Sequence, residues 1–124
     1  MNAAVNGRRV LLADDNQDST RTFAMLLTLW GHTVEVAHDG EEALRTAESF
    51  KPDVALLDIG MPRMDGYEVA RRIRSGPDGN RIKLVAVTGW DREEDRLRAA
   101  EAGFDRHLVK PVKPDLLRDV VQTI

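Results

Sequence analysis

Val10-Leu11-Leu12-Ala13 is a run of four apolar residues followed at once by Asp14-Asp15, and the way the chain continues from it decides the fold. The run reads as a buried strand. Phe23, Leu26, Leu27 and Trp30 then recur at i, i+3, i+4 and i+7, the spacing of one helix face, and Gly31 stops that helix. The alternation repeats outward. Val34 to Ala37 is a second strand. Asp39 and Glu42 form a capping-box pattern, with Ala43, Ala47 and Phe50 as the apolar side of a helix that ends at Pro52. Val54 to Leu57 is a third strand, and Val69, Ala70 and Ile73 mark a helix ended near Ser75-Gly76-Pro77. Leu84 to Val87 is a fourth strand. Asp91 and Glu94 repeat the capping box, with Leu97 and Ala100 expected on the buried face and Gly103 as the stop. Leu108-Val109 marks a short fifth strand, and Pro114 opens a helix carrying Leu116, Leu117, Val120, Val121 and Ile124.

Five strand–helix units in series imply a parallel sheet covered on both faces. Right-handed crossovers then give a doubly wound α/β fold, for which the flavodoxin-like order 2-1-3-4-5 is expected. Residues 1–124 read as one domain, with 1–7 as an N-terminal tail and 75–81 as a loop. The 124 residues include 18 Lys+Arg against 21 Asp+Glu, a net charge of −3. That balance argues against nucleic acid as a direct partner, because phosphate contacts need a basic face. There is no cysteine, no apolar run of membrane-spanning length and no signal-peptide stretch at the N-terminus. A cytoplasmic protein is the expectation.

Ligands of such sheets bind outside the carboxyl ends of the strands. Asp14 and Asp15 follow the first strand, Asp58 ends the third, Thr88 follows the fourth and Lys110 the fifth. Taken singly, an acid pair is turn or cap chemistry, Thr88 a turn residue and Lys110 a solvated charge. Only a shared site gives all five a reason to meet on one rim. Three packed carboxylates repel and are costly to desolvate, and a divalent cation relieves both. All-oxygen ligation points to Mg²⁺. A carboxylate in that setting can act as a nucleophile toward phosphorus, with Lys110 and Thr88 supplying a charge and a hydroxyl to the phosphoryl oxygens.

Leu11-Leu12-Ala13-Asp14-Asp15-Asn16, Leu56-Leu57-Asp58-Ile59-Gly60-Met61-Pro62-Arg63-Met64-Asp65-Gly66, Ala86-Val87-Thr88-Gly89 and Leu108-Val109-Lys110-Pro111 span nearly the whole chain. Through them it resembles the receiver domain of two-component response regulators. The resemblance implies that Asp58 accepts a phosphoryl group from a phosphohistidine on a histidine kinase or histidine phosphotransfer protein. It implies that Asp15 and Asp58 ligate Mg²⁺, with Asp14 acting mainly through water and the Gly60 carbonyl as a further ligand. Lys110, Thr88 and the Gly89 amide are implied to bind the phosphoryl group, and the Lys110–Pro111 bond to be cis. Such a domain is a signalling module that catalyses only its own phosphorylation and dephosphorylation.

The family usually has Tyr or Phe three residues before its conserved Lys. Here that position is His107, which the resemblance makes the switch residue together with Thr88. Two residues after Thr88 stands Trp90, and two after Asp58 stands Gly60. His32, His38 and His107 are too scattered for a zinc site. A flavin-binding module would need a Ser/Thr/Gly-rich phosphate loop where Asp14-Asp15 stand. An aspartyl phosphatase would have Asp-x-Asp rather than an adjacent pair. A pseudo-receiver used only for protein contacts is opposed by the intact acids, Thr88 and Lys110. The chain stops near the end of the last helix. A stand-alone protein and a receiver fused to output or kinase domains both fit, and Gly103 to Pro111 looks like receivers of hybrid histidine kinases.

Overall fold

The five apolar runs form strands and the helical patterns between them form helices, in a computed structural model that describes residues 7–124. Of the expected tail, residues 1–7, all but Gly7 lies outside the described residues. In chain order the elements are β1 (Arg9–Ala13), α1 (Gln17–Leu29), β2 (Thr33–Ala37), α2 (Gly40–Phe50), β3 (Val54–Asp58), α3 (Gly66–Ser75), β4 (Lys83–Thr88), α4 (Glu93–Ala102), β5 (Arg106–Val109) and α5 (Pro114–Thr123). All strand pairs are parallel, in the expected order β2-β1-β3-β4-β5.

Side chains of a strand alternate between faces, and the core divides accordingly. Val10, Leu12, Val54, Leu56, Val85 and Val87 pack with Leu27 of α1 and Leu117, Val120 and Val121 of α5. Leu11, Ala13, Ala55, Leu57, Leu84 and Ala86 pack on the other face with residues of α2, α3 and α4. β3 is buried at every position, which explains its continuous apolar reading. Each fully buried leucine contributes about 2–3 kcal/mol through apolar burial.

Three helix starts show what side chains do locally. Asn16 caps α1 by accepting from the Ser19 N–H at 3.1 Å. Asp39 caps α2 as expected, accepting from Glu42 N–H at 2.8 Å. The Glu42 carboxylate, however, accepts from His38 N–H at 2.6 Å, one residue earlier than a capping box requires. The start of α4 departs further. Its cap is Arg92, and Asp95 accepts the Arg92 backbone N–H at 3.3 Å. Asp91 instead accepts from Arg96 Nε at 2.7 Å. The buried residues of α4 are Ala99 and Ala102, whereas Leu97 and Ala100 are exposed. Small side chains let this helix approach the sheet, so its leucine is not needed there. Leu116 of α5 is likewise exposed.

Candidate functional site

The register brings the strand ends to one level. Ala13 pairs with Leu57, Asp58 with Val87, and Thr88 with Val109. Asp14, Asp58, Thr88 and Lys110 therefore lie at the same rim by backbone pairing alone, with β1 and β3 central and adjacent. Carboxylate oxygens of Asp14, Asp15 and Asp58 lie within 4.8 Å of one another. Asp14 and Asp58 are buried while Asp15 is exposed.

Close backbone approaches shape the rim. A Cβ on Gly66 would lie 2.7 Å from the Asp58 carbonyl oxygen, and one on Gly40 would overlap the Met64 carbonyl oxygen. Glycine at these positions lets the starts of α3 and α2 close against the segment after β3. In that segment Arg63 has a left-handed backbone, φ 70°, a conformation that carries strain in a non-glycine residue. By contrast, a Cβ on Gly89 would meet nothing within 4 Å, and one on Gly60 only Asp58 Oδ1 at 3.9 Å. There is room for a ligand beside Gly60 and Gly89.

Lys110 Nζ is 3.1 Å from Asp14 Oδ2 and 3.3 Å from Asp58 Oδ1. Asp14 Oδ1 accepts from Asn16 N–H at 2.9 Å, and Asp58 Oδ1 accepts from Gly60 N–H at 3.2 Å. Asp58 Oδ2 has no protein hydrogen-bond partner among the described residues. Burial pushes the Asp58 carboxyl above the usual carboxylate range, and the Asp14 charge adds to this against the Gly60 N–H and Lys110. Burial acts to lower the Lys110 pKa, yet the hydrogen bond to Asp14 and the charges of Asp58 and Asp14 hold it above its ordinary value. One ammonium faces three carboxylates, so a negative excess remains. Oxygens spaced within 4.8 Å match a small hard cation, whose opposite ligands lie roughly 4.2 Å apart.

Thr88 Oγ1 accepts from Trp90 N–H at 3.1 Å. His107 Nε2 lies 3.2 Å from the Trp90 carbonyl oxygen, and His107 Nδ1 is buried without a partner. Trp90 thus joins Thr88 to His107 through its backbone, while its indole is exposed. The Lys110–Pro111 peptide is cis. Among the described residues the three histidines join no metal-capable group. Sequence spacing did not assign two supporting roles, that of Asn16 at Asp14 and that of Gly66 beneath Asp58. The Asn after the acid pair and the Asp65-Gly66 helix start were their only signals.

A model of the response regulator receiver domain matches residues 10–122. The response regulator MprA of Mycobacterium ulcerans is 40% identical over 103 residues, 83% of this chain and 44% of MprA. The chain thus spans less than half the length of that relative. Chemotaxis protein CheY4 of Vibrio cholerae superposes with a TM-score of 0.89 at 29% identity, covering 94% of this chain and 97% of that one. The receiver domain of sensor histidine kinase PA1611 from Pseudomonas aeruginosa gives 0.85 at 33% identity, covering 94% and 95%. That structure has a magnesium ion coordinated in the active site cleft.

Proposed function

Because the chain belongs to the response regulator receiver domain family, we propose that it is one receiver unit of a phosphorelay, in which Asp58 takes a phosphoryl group from a phosphohistidine. The donor is a histidine kinase or a histidine phosphotransfer protein. The observation that carries the reading is the Lys110 ammonium held between Asp14 and Asp58, with the Asp15 carboxylate beside them. Asp58 Oδ1 is occupied by Lys110 and the Gly60 N–H, so Oδ2 is the nucleophilic oxygen. Its lone pair forms the O–P bond of an acyl phosphate as the donor's P–N bond breaks, and the imidazole leaves with that electron pair. Lys110, the Thr88 hydroxyl and the Gly89 amide bind the phosphoryl oxygens. Asp15, Asp58 and the Gly60 carbonyl would hold Mg²⁺, with Asp14 acting mainly through water. When bound, Mg²⁺ neutralises charge building on the transferred group.

The Thr88 hydroxyl can donate to a phosphoryl oxygen while Oγ1 accepts from Trp90 N–H, so a movement of Thr88 toward that oxygen would pull on the segment that His107 also holds. His107 is therefore the switch residue with Thr88. Ring resonances of His107 should differ with and without beryllofluoride; unchanged resonances would move the switch elsewhere. The cytoplasm is the proposed location. No helix of the described residues is long and apolar enough to cross a membrane, and the donor kinases work on that side. A stand-alone unit and one fused to output or kinase domains both fit this reading, since the chain covers 44% of MprA but 97% of CheY4.

The deciding experiment is labelling with acetyl phosphate in the presence of Mg²⁺. The wild type is expected to form one acyl phosphate, released by base and by hydroxylamine, and Asp58→Asn none. Label retained on another residue in that variant would overturn the assignment.

A further inference from the structure

His32 lies in the turn between α1 and β2, at the end of the sheet opposite Asp58, and it is buried. Its backbone N–H donates to the Leu27 carbonyl at 3.0 Å. Its Nδ1 accepts from the Arg8 backbone N–H, also at 3.0 Å. An accepting Nδ1 puts the ring proton on Nε2, and Nε2 is buried without a partner among the described residues. The ring is therefore neutral, and a second proton can enter only at Nδ1, the atom that holds Arg8. Arg8 is the residue by which the chain enters β1. Its carbonyl accepts from Thr33 N–H at 3.0 Å, so it is fastened to β2 on one side and to the His32 ring on the other. Just before it, Gly7 passes so close to Gly31 that a Cβ would overlap the Gly31 carbonyl oxygen. Arg9 is held separately. Its N–H donates to Asp53 Oδ2 at 2.8 Å and its guanidinium to the Phe50 carbonyl. Loss of the His32 bond would thus free the chain up to Arg8 and stop there.

The groups around the ring do not welcome a charge. Residues 22–29, the last two turns of α1, carry no titratable side chain. Glu35 of β2 is exposed, and Arg118 of α5 lies over the Trp30 ring, 5.4 Å from its centre. Burial, and then the Arg8 charge, hold the His32 imidazole below its ordinary pKa. A base lowered in this way contributes stability that is complete above its unfolded value, about 6.5, and is lost as pH falls toward the folded one. Asp58 has the opposite sign, since its raised pKa lets acid relieve a penalty. We propose that His32 is an acid-sensitive latch on the chain entering β1. Neutral, the ring accepts the Arg8 N–H and the latch is closed. Once a proton takes the Nδ1 lone pair, two N–H groups face each other, the ring turns out to water and the segment ahead of Arg9 is released, while β1 stays in the sheet. The latch does not depend on the role of Asp58.

The test follows the metal-free protein by NMR from about pH 7.5 to about pH 5, across the ordinary histidine range. Long-range proton–nitrogen spectra should show the His32 proton on Nε2 and a titration midpoint below the ordinary value. After correction for intrinsic exchange, protection of the Arg8 amide should fall by up to about tenfold for each pH unit below the unfolded value, while Leu11 and Leu12 stay protected. His32→Phe keeps a ring in the site but no acceptor. Its Arg8 amide should be unprotected throughout, with no step in pH; should that variant fail to fold, the wild-type titration decides alone. A midpoint at or above the ordinary value, a neutral ring protonated on Nδ1, or flat protection at Arg8 would overturn the proposal. So would joint loss of protection at Arg8, Leu11 and Leu12, which marks unfolding of the whole domain.

Discussion

Asp58 is where the demands of folding and of chemistry conflict. Its carboxylate is buried beside Asp14, and both facts disfavour its charge. Its folded pKa is raised above the unfolded value, so without metal its ionisation opposes folding. The Asp58 contribution to metal-free stability should therefore fall as pH rises from about 3.9, the unfolded value, through the higher folded one. Asp58→Asn removes that penalty: it should melt above the metal-free wild type at neutral pH and match it in acid below that window. Chemical denaturation at several pH values with a chelator present checks this, and a variant less stable at neutral pH would refute it. Asp15 is exposed, so Asp15→Asn should weaken Mg²⁺ binding with a smaller gain in metal-free stability. At this scale the acids, Thr88 and Lys110 were legible because each ends or follows an apolar strand. The Trp90 N–H on Thr88 and the unpartnered His107 Nδ1 were not, because they depend on how β5 and the segment after β4 meet in space.

The elements differ in how firmly their sequences fixed them. α1, α2, α3 and α5 carry apolar stripes that face the sheet, and periodicity located them. α4 misled because its single leucine faces outward and two alanines make its contact; capping acids one residue apart allowed either start. Tertiary devices hold the helices where propensity does not. Arg74 of α3 donates to the carbonyls of Gly103, at 2.9 Å, and Ile82, at 2.7 Å, and to the Asp105 carboxylate at 2.8 Å. Lysine cannot reproduce that planar fork, so Arg74→Lys should lower stability by about 2 kcal/mol without abolishing phosphorylation. Gly66 joins an element directly to the site. With a Cβ 2.7 Å from the Asp58 carbonyl and 2.9 Å from Ile59 Cα, Gly66→Ala forces the start of α3 away from Asp58. A loss of roughly 1–3 kcal/mol in urea unfolding is expected, together with slower phosphorylation by acetyl phosphate. Stability and labelling rate both unchanged would show that the close approach is not required.

For the molecule as a whole, alternation of strand and helix implied a parallel sheet but not its order, since every order of five such units has the same periodicity. The order 2-1-3-4-5 came from fold precedent, and it makes the acids intelligible. It sets β1 beside β3, so that Asp14 and Asp15 meet Asp58, and it leaves β2, whose end carries His38-Asp39, at the edge. The sheet thus spends its centre on a site that works against it, with two buried carboxylates and a third beside them. Such a fold should be most stable with the site filled. Ligation that favours the folded state adds about 1.4 kcal/mol when free Mg²⁺ is tenfold above its dissociation constant. For 124 residues the unfolding entropy turns this into a rise of about 5 °C in Tm. Ca²⁺, which takes oxygen ligands in looser geometry, should also stabilise, whereas Na⁺ at equal ionic strength should not. The decisive comparison is Asp58→Asn, which should start from the higher metal-free Tm and gain less from Mg²⁺, so that the two melting curves converge or cross as Mg²⁺ is added. Parallel shifts in wild type and variant would place the cation away from Asp58.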